Sequence, residues 1–245
     1  MLSTGNSRGM RHFLAAWLGM FLTLAALPTP AGAQTVQWTR QFGSTGNEGV
    51  NAVAVDATGV YVVGTINGAL PGQTSGGLAD SFVRKYNTNG TEQWTRQFGS
   101  TTDDGAYGVA VDSTGVYVVG YIYGTLPGQT SAGFADAYVR KYDANGNIIW
   151  TRQFGSTTDD GAGGVAVDST GVYVVGRTNG ALPGQTSAGA CLCPVYDAFV
   201  RKYDANGTEQ WTRQFGSAGD DEAHGVAVDS TGVYVVGRTN GALPG

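Results

Sequence analysis

The sequence has 245 residues, of which 40 are glycine, 7 are proline and 13% are charged, and its formal net charge is −5. So much glycine without a G-X-Y period excludes collagen and disfavours a helical protein, whereas 41% apolar residues can build a packed core. Because the chain is acidic and has no Lys/Arg block, neither nucleic acid nor anionic lipid is an expected partner.

The amino-terminal segment is typical of a secretory signal peptide. Arg8 and Arg11 precede an apolar run at 13–27, and Ala31-Gly32-Ala33 forms a small-residue cleavage site. An uncleaved anchor is the alternative, but a membrane-spanning helix usually needs about 20 apolar residues. We therefore predict a signal peptide at 1–33 and a mature chain from 34 that is secreted, periplasmic or at the cell surface, without a membrane span.

A seven-residue sequence, Trp-Thr-Arg-Gln-Phe-Gly-Ser, occurs four times. The copies begin at Trp38, Trp94, Trp150 and Trp211, at intervals of 56, 56 and 61 residues. The longer interval contains an insertion at 190–196. An insertion within an otherwise strict repeat indicates a surface loop.

One repeat, taken at 103–155, contains four strand-like segments, at 109–111, 116–119, 137–142 and 148–154. They are rich in valine and aromatic residues, which favour strands. Asp-Ser-Thr-Gly at 112–115 and Asp-Ala-Asn-Gly at 143–146 are hairpin turn sequences. Four antiparallel strands in each repeat predict an all-β fold made of β-propeller blades. A β-solenoid is the alternative, although its coils usually have shorter periods and parallel pairing.

These motifs carry a family resemblance. G-V-A-V-D-S-T-G-V-Y-V-V-G, D-A-F-V-R-K-Y-D-A-N-G and W-T-R-Q-F-G follow one another in fixed order over 36–245. In this order they resemble the bacterial β-propeller repeat known as the SBBP repeat. The resemblance implies a propeller-like module of exported bacterial proteins, often within a larger surface protein. It implies no catalytic residues.

The repeat is incomplete at both ends of the sequence. A lone fourth strand is predicted at 37–42, and the last repeat stops at Gly245, just after its second strand. Three repeats are complete between these ends. We expect the chain to be a fragment or truncated product of a longer propeller.

Pairs of aspartates recur in the loop before three of the four first strands, and Asn47-Glu48 is the variant copy in the first repeat. Flexible loops that carry carboxylates can bind Ca²⁺, which makes these residues candidate metal ligands and Ca²⁺ the one candidate cofactor. The alternative is that they solvate the loop or cap a turn, since no D-x-D-x-D-G spacing accompanies them. The candidates are Asp103, Asp104, Asp159, Asp160, Asp220 and Asp221.

Two further sets of residues each leave two interpretations open. Arg-Lys pairs at 84–85, 140–141 and 201–202 could form an anion-binding ring, but cross-strand pairing with acidic neighbours is the commoner role. Cys191 and Cys193 are the two cysteines. A bridge across one intervening residue would be strained, so a free pair on a loop is as reasonable as an internal disulfide.

Nearly every polar residue recurs in three or four repeats, whereas catalysis needs different groups that converge on one centre. We therefore predict a non-catalytic module with a structural role or a protein or glycan partner. The alternatives are a carbohydrate-active enzyme, or a Ca²⁺-stabilised adhesin spacer, whose active part lies outside this sequence. Apart from the cysteines, the single-copy residues are Tyr107, Tyr121, Tyr123, Glu222 and His224.

Overall fold

The computed structural model of the chain describes residues 36–188 and 195–243, where all regular secondary structure is β-strand. These residues include no helix that is long and apolar enough to cross a membrane. The predicted signal peptide and both cysteines lie outside the described residues. The strands are β1 (Glu48–Asp56), β2 (Gly59–Ile66), β3 (Asp80–Tyr86), β4 (Glu92–Phe98), β5 (Asp104–Asp112), β6 (Gly115–Ile122), β7 (Asp136–Tyr142), β8 (Ile148–Phe154), β9 (Asp160–Asp168), β10 (Gly171–Thr178), β11 (Asp197–Tyr203), β12 (Glu209–Phe215), β13 (Asp221–Asp229) and β14 (Gly232–Thr239).

The strands form successive meanders in chain order. β1 to β4, β5 to β8 and β9 to β12 are four-stranded sheets, and β13 pairs with β14 alone. Every pairing between these described strands is antiparallel, which excludes the solenoid alternative for this part of the chain. The prediction of four-stranded propeller blades is confirmed, although the sheets formed by the described strands do not close into a ring.

The second and third strands of each blade carry the core. All seven residues of β7 are buried, and β6 is nearly as enclosed. Val119 and Val139 of the second blade belong to the same apolar cluster as Val174 and Phe199 of the third. Stacking therefore covers the sheet faces that a single blade would expose to water.

The turn between the first and second strands is closed by an aspartate side chain. Asp112 Oδ1 accepts hydrogen bonds from the backbone N–H groups of Thr114 (2.7 Å) and Gly115 (2.9 Å). This is the local side-chain bond predicted from the turn sequence. The same two bonds recur at Asp56, Asp168 and Asp229.

Three tryptophans of the repeated heptapeptide, Trp38, Trp94 and Trp150, dock on a turn of the blade that follows them. Trp150 Nε1 donates to the Ala205 carbonyl oxygen (3.1 Å), and Arg152 Nε donates to that of Gly207 (2.7 Å). Gly207 has a φ of 75°, and a Cβ on it would lie 2.7 Å from the Trp150 ring. Glycine is needed here both for the turn and for the close approach.

The fourth strand predicted at 37–42 is wrong. These residues are not assigned to a strand, because the described sheets contain no third strand beside which they could lie as a fourth. Their side chains still dock on the first blade in the repeated manner. Trp38 Nε1 donates to the Thr88 carbonyl oxygen (3.1 Å), and Arg40 Nε donates to that of Gly90 (2.6 Å). The docking contact thus forms without the strand pairing.

Candidate functional site

The first strand of every blade contains a β-bulge, and the bulged residue differs from blade to blade. In β5 the register with β6 shifts between Ala106 and Gly108, which leaves Tyr107 without a cross-strand partner. A bulge re-aims the side chain of its unpaired residue. The bulged residues of β1, β9 and β13 are Asn51, Gly163 and His224.

The positions beside the bulge also vary, while most of the repeat stays constant. Tyr123 occupies a position where the other three blades have asparagine. The cross-strand pairs next to the bulge are Gly49 with Thr65, Gly105 with Tyr121, Gly161 with Arg177 and Glu222 with Arg238. The bulge and the positions near it are therefore one region in which the repeats differ.

The bulge also explains why the first strand was predicted too short. β5 begins at Asp104, five residues before the segment expected at 109–111. Glycines at 105 and 108 lower the strand propensity of this stretch. The structure needs small residues there, because a Cβ on Gly108 would lie 3.2 Å from the Cα of Gly164 in the next blade.

The variable residues of adjacent blades meet in one open cleft of about 650 Å³. Part of its lining is the backbone of β9 at Gly161 and Gly163, where the bulge has no side chain. Tyr107 of the second blade and His224 of the fourth line the same cleft. The cleft is thus bordered by bulged side chains and open at the one bulged glycine.

Three tyrosines form an aromatic wall of the cleft. The rings of Tyr107 and Tyr121 stack with centroids 5.6 Å apart, and Tyr123 meets Tyr121 edge-on at 5.7 Å. Tyr107 is 44% exposed and Tyr123 is 41% exposed. Burial raises the pKa of Tyr121 and of Tyr123, so both hydroxyls stay protonated at neutral pH. The wall offers ring faces together with hydroxyl donors.

Glu222 organises the charged side of the cleft. Its Oε1 atom accepts hydrogen bonds from Arg177 Nη1 (2.6 Å) and Arg238 Nη2 (3.0 Å), and its Oε2 atom lies 3.5 Å from His224 Nε2. Arg177 also lies over the Tyr196 ring, 4.5 Å from its centroid. Burial opposes the ionisation of Glu222, but the bonds from the two arginines outweigh it and lower its pKa. Glu222 is therefore an ionised, paired carboxylate.

The two aspartates of each pair predicted as metal ligands lie in different surroundings. Asp104, Asp160 and Asp221 are buried, Asp103 is exposed, and Asp159 lines the cleft. Asp220 Oδ1, in the last pair, accepts a hydrogen bond from the Tyr196 N–H (3.2 Å). No three Asp, Glu, His or Cys side chains among the described residues gather in a metal-binding arrangement. Calcium binding at these pairs stays a prediction.

Each buried aspartate instead lies close to an aspartate of the preceding blade. A Cβ placed on Gly155 would lie 2.4 Å from Asp136 Oδ1 and 2.5 Å from Asp160 Oδ2. The same arrangement recurs at Gly99 and Gly216. Burial, with a contribution from the charge of Asp136, raises the pKa of Asp160 to about 6.

This pair predicts a pH dependence of stability. Asp160 has a raised pKa when folded, whereas an unfolded aspartate titrates near pH ~3.9. The folded chain therefore binds more protons, and the contribution of Asp160 is lost as the pH rises through about 6. We expect the unfolding temperature of the wild type, relative to that of Asp160→Asn, to fall as the pH rises from about 4 to about 6. EGTA is present throughout, so that Ca²⁺ binding to the carboxylates does not contribute. Asp103→Asn, at an exposed carboxylate, should behave as wild type. A constant difference between wild type and Asp160→Asn would contradict the assignment.

The repeated Arg-Lys pairs make contacts within and between blades. Arg84 Nε donates to Thr95 Oγ1 (2.7 Å), and its guanidinium lies 3.4 Å from Glu92 on the adjacent strand. Arg201 forms the same ion pair with Glu209. Lys141 Nζ donates to Thr114 Oγ1 (2.9 Å). Cross-strand pairing, the favoured interpretation, is confirmed at Arg84 and Arg201.

All five described single-copy residues noted in the sequence line the cleft. Asp159 and Asp160, which the sequence indicates as candidate metal ligands, also line it, whereas sequence reasoning does not identify Arg177 and Tyr196 as site residues. Arginine recurs at position 238, which hides Arg177 from a search for unique residues. A position-by-position comparison of the repeats finds it, because the first blade has Thr65 and the second has Tyr121 at that place.

Comparison with known proteins agrees with the fold. Residues 210–244 match the family described as a beta-propeller repeat, SBBP, so the family resemblance is confirmed over this stretch. The chain is also 29% identical over 216 residues to the regulatory protein FlaEY of Caulobacter vibrioides. That match covers 78% of this chain, and the chain spans 22% of the length of the relative.

Proposed function

We propose that this chain is a non-catalytic, exported recognition module that binds a partner in the cleft. One observation carries the proposal: the blades share one scaffold, and their bulged residues, which are different in each blade, all line a single cleft. Tyr107, Tyr123 and His224 are there because the bulge and its neighbours vary. Binding residues carried at variable positions on a rigid scaffold are typical of recognition proteins.

The charged groups of the cleft favour binding over glycan hydrolysis. A glycosidase uses two carboxyl groups in different environments, one with a raised pKa that acts as the general acid. Asp159, Asp160 and Glu222 are carboxylates that line the cleft. The pKa of Asp160 is raised, but its side chain is buried and accepts two hydrogen bonds from Ser156. The pKa of Glu222 is lowered, and two arginines occupy its Oε1 atom. Glu222 is therefore poorly suited to donate or accept a proton in a reaction.

The description of the relative FlaEY also supports a binding role. FlaEY is described as a regulatory protein, and regulation requires contact with a partner. A module with a partner-binding cleft is consistent with that description.

The proposal is tested by exchanging a residue of the cleft for the one that another blade has at the same position. Tyr107→Gly installs the bulged residue of the third blade, so the scaffold should tolerate it. We expect the wild type to bind a defined set of probes on an array of glycans and peptides. Removal of a central aromatic contact typically costs about 2 kcal/mol or more, so the variant should bind about thirtyfold more weakly.

The matched control is Ser113→Ala, an exposed turn position where the first blade has Ala57. It should bind as wild type. If Tyr107→Gly retained full affinity for every probe, or if the wild type bound none, the cleft would not be the recognition site.

A further inference from the structure

We infer that the cleft binds a neutral glycan, with the apolar face of one sugar ring against the exposed ring of Tyr107. This inference rests on the proposed function, whose recognition site it assigns to one class of ligand. It is carried by three features of the described part of the cleft: arginines that are already paired, aromatic rings without aliphatic pockets, and polar groups held in place.

The arginines beside the cleft are already paired. Arg177 and Arg238 share the carboxylate of Glu222, and the carboxylates of Asp159 and Asp160 also line the cleft. A carboxylate or phosphate ligand is typically bound by arginines or lysines free to form charge-assisted bonds. Here both arginines already donate to Glu222. The cleft therefore disfavours an anionic ligand, and among glycans it favours an uncharged one.

The apolar part of the cleft consists of tyrosine and alanine side chains. Among the described residues its lining includes Tyr107, Tyr121, Tyr123 and Tyr196, and no Leu, Ile, Val, Met, Phe or Trp side chain. Protein partners usually insert aromatic or aliphatic anchors into well-packed pockets, and such a pocket is not found in this lining. A sugar ring has a C–H face that packs on an aromatic ring and hydroxyl groups that need polar partners at its edge.

The polar groups are held where they could meet those hydroxyls. Asn51 Nδ2 donates to the Ala106 carbonyl oxygen (2.8 Å), which fixes the orientation of its amide. Glu222 fixes Arg177 by a 2.6 Å hydrogen bond, while His224 stays 58% exposed beside it. Held polar groups bind a matching ligand at a smaller cost in entropy. A volume of about 650 Å³ suits a short oligosaccharide.

The test is calorimetric titration of the full chain with three sets of probes. Neutral tetrasaccharides of glucose, mannose and xylose are the first, a tetramer of galacturonic acid is the second, and the peptides found on the array are the third. We expect a neutral tetrasaccharide to bind with an affinity that changes little between low and high salt. Tyr107→Phe, which keeps the ring, should stay within about threefold of wild type, and Tyr107→Gly should lose about thirtyfold.

Other results overturn the inference in ways that separate it from the proposed function. Salt-sensitive binding of the galacturonate tetramer alone, or binding of peptides alone, would overturn the neutral-glycan assignment. If that binding were also lost in Tyr107→Gly, recognition in the cleft would stand. Equal losses in Tyr107→Phe and Tyr107→Gly would overturn ring stacking. No binding of any probe would overturn both proposals.

Discussion

Trp150→Ala is expected to lower the free energy of unfolding by about 3 to 5 kcal/mol, the usual cost of removing a buried aromatic side chain. Trp150 is 8% exposed and lies between two blades. Its ring centroid is 6.2 Å from that of Tyr117 in its own blade and 6.3 Å from that of Tyr203 in the next. The substitution would also leave the Ala205 carbonyl without its indole donor.

Trp211→Ala is the matched control, because Trp211 has the same place in its repeat. It is only partly buried, and its ring contact with Tyr173 lies within its own blade. We expect a smaller loss, of about 1 to 3 kcal/mol. Denaturant unfolding of both variants measures the difference. Equal losses would show that docking on the following blade adds no stability beyond the packing within a blade.

The repeat made most of the fold predictable. The fourth strand at 148–154 has the predicted bounds, and the turn at Asp112 closes as its sequence indicates. Both depend on local physics, namely strand propensity and a side-chain bond to the nearby backbone. The strand at 37–42 failed for a non-local reason, because pairing requires a neighbouring strand that single-segment patterns do not show.

The candidate site was predictable in its residues but not in its assembly. Tyr107, Glu222 and His224 stand out in the sequence as single-copy residues. Only the stacking of first strands from successive blades brings them together. The bulge that directs Tyr107 and His224 into the cleft has no strong sequence signal, because its flanking glycines resemble a loop.

The near-identity of the repeats has one implication in the sequence and another in the structure. From the sequence, repetition argues against a specific chemistry, because identical groups cannot take different roles. The structure shows that the bulged residues, which differ in each blade, line one cleft. Other departures from identity lie outside it, such as Ile148 at the position of Glu92 and Glu209. The repeated positions form a uniform scaffold, and we assign recognition to the bulged residues that differ between blades.

Gly163→Tyr is expected to abolish binding without unfolding the chain. The other blades carry Asn51, Tyr107 and His224 at this bulge, so the backbone geometry accommodates side chains. A Cβ on Gly163 would lie 3.1 Å from the Ala223 carbonyl oxygen, a tight contact that costs some stability. The remainder of the tyrosine would occupy the space that a ligand needs. We expect affinity to fall by about a hundredfold or more.

Calorimetric titration of the array-selected ligand into the wild type, Gly163→Tyr and Gly163→Ala tests the central claim most directly. Gly163→Ala introduces the same Cβ contact but leaves most of the cleft open. Recognition in the cleft predicts loss of binding in Gly163→Tyr and near wild-type affinity in Gly163→Ala, with both variants folded by circular dichroism. Undiminished binding in a folded Gly163→Tyr variant would contradict it.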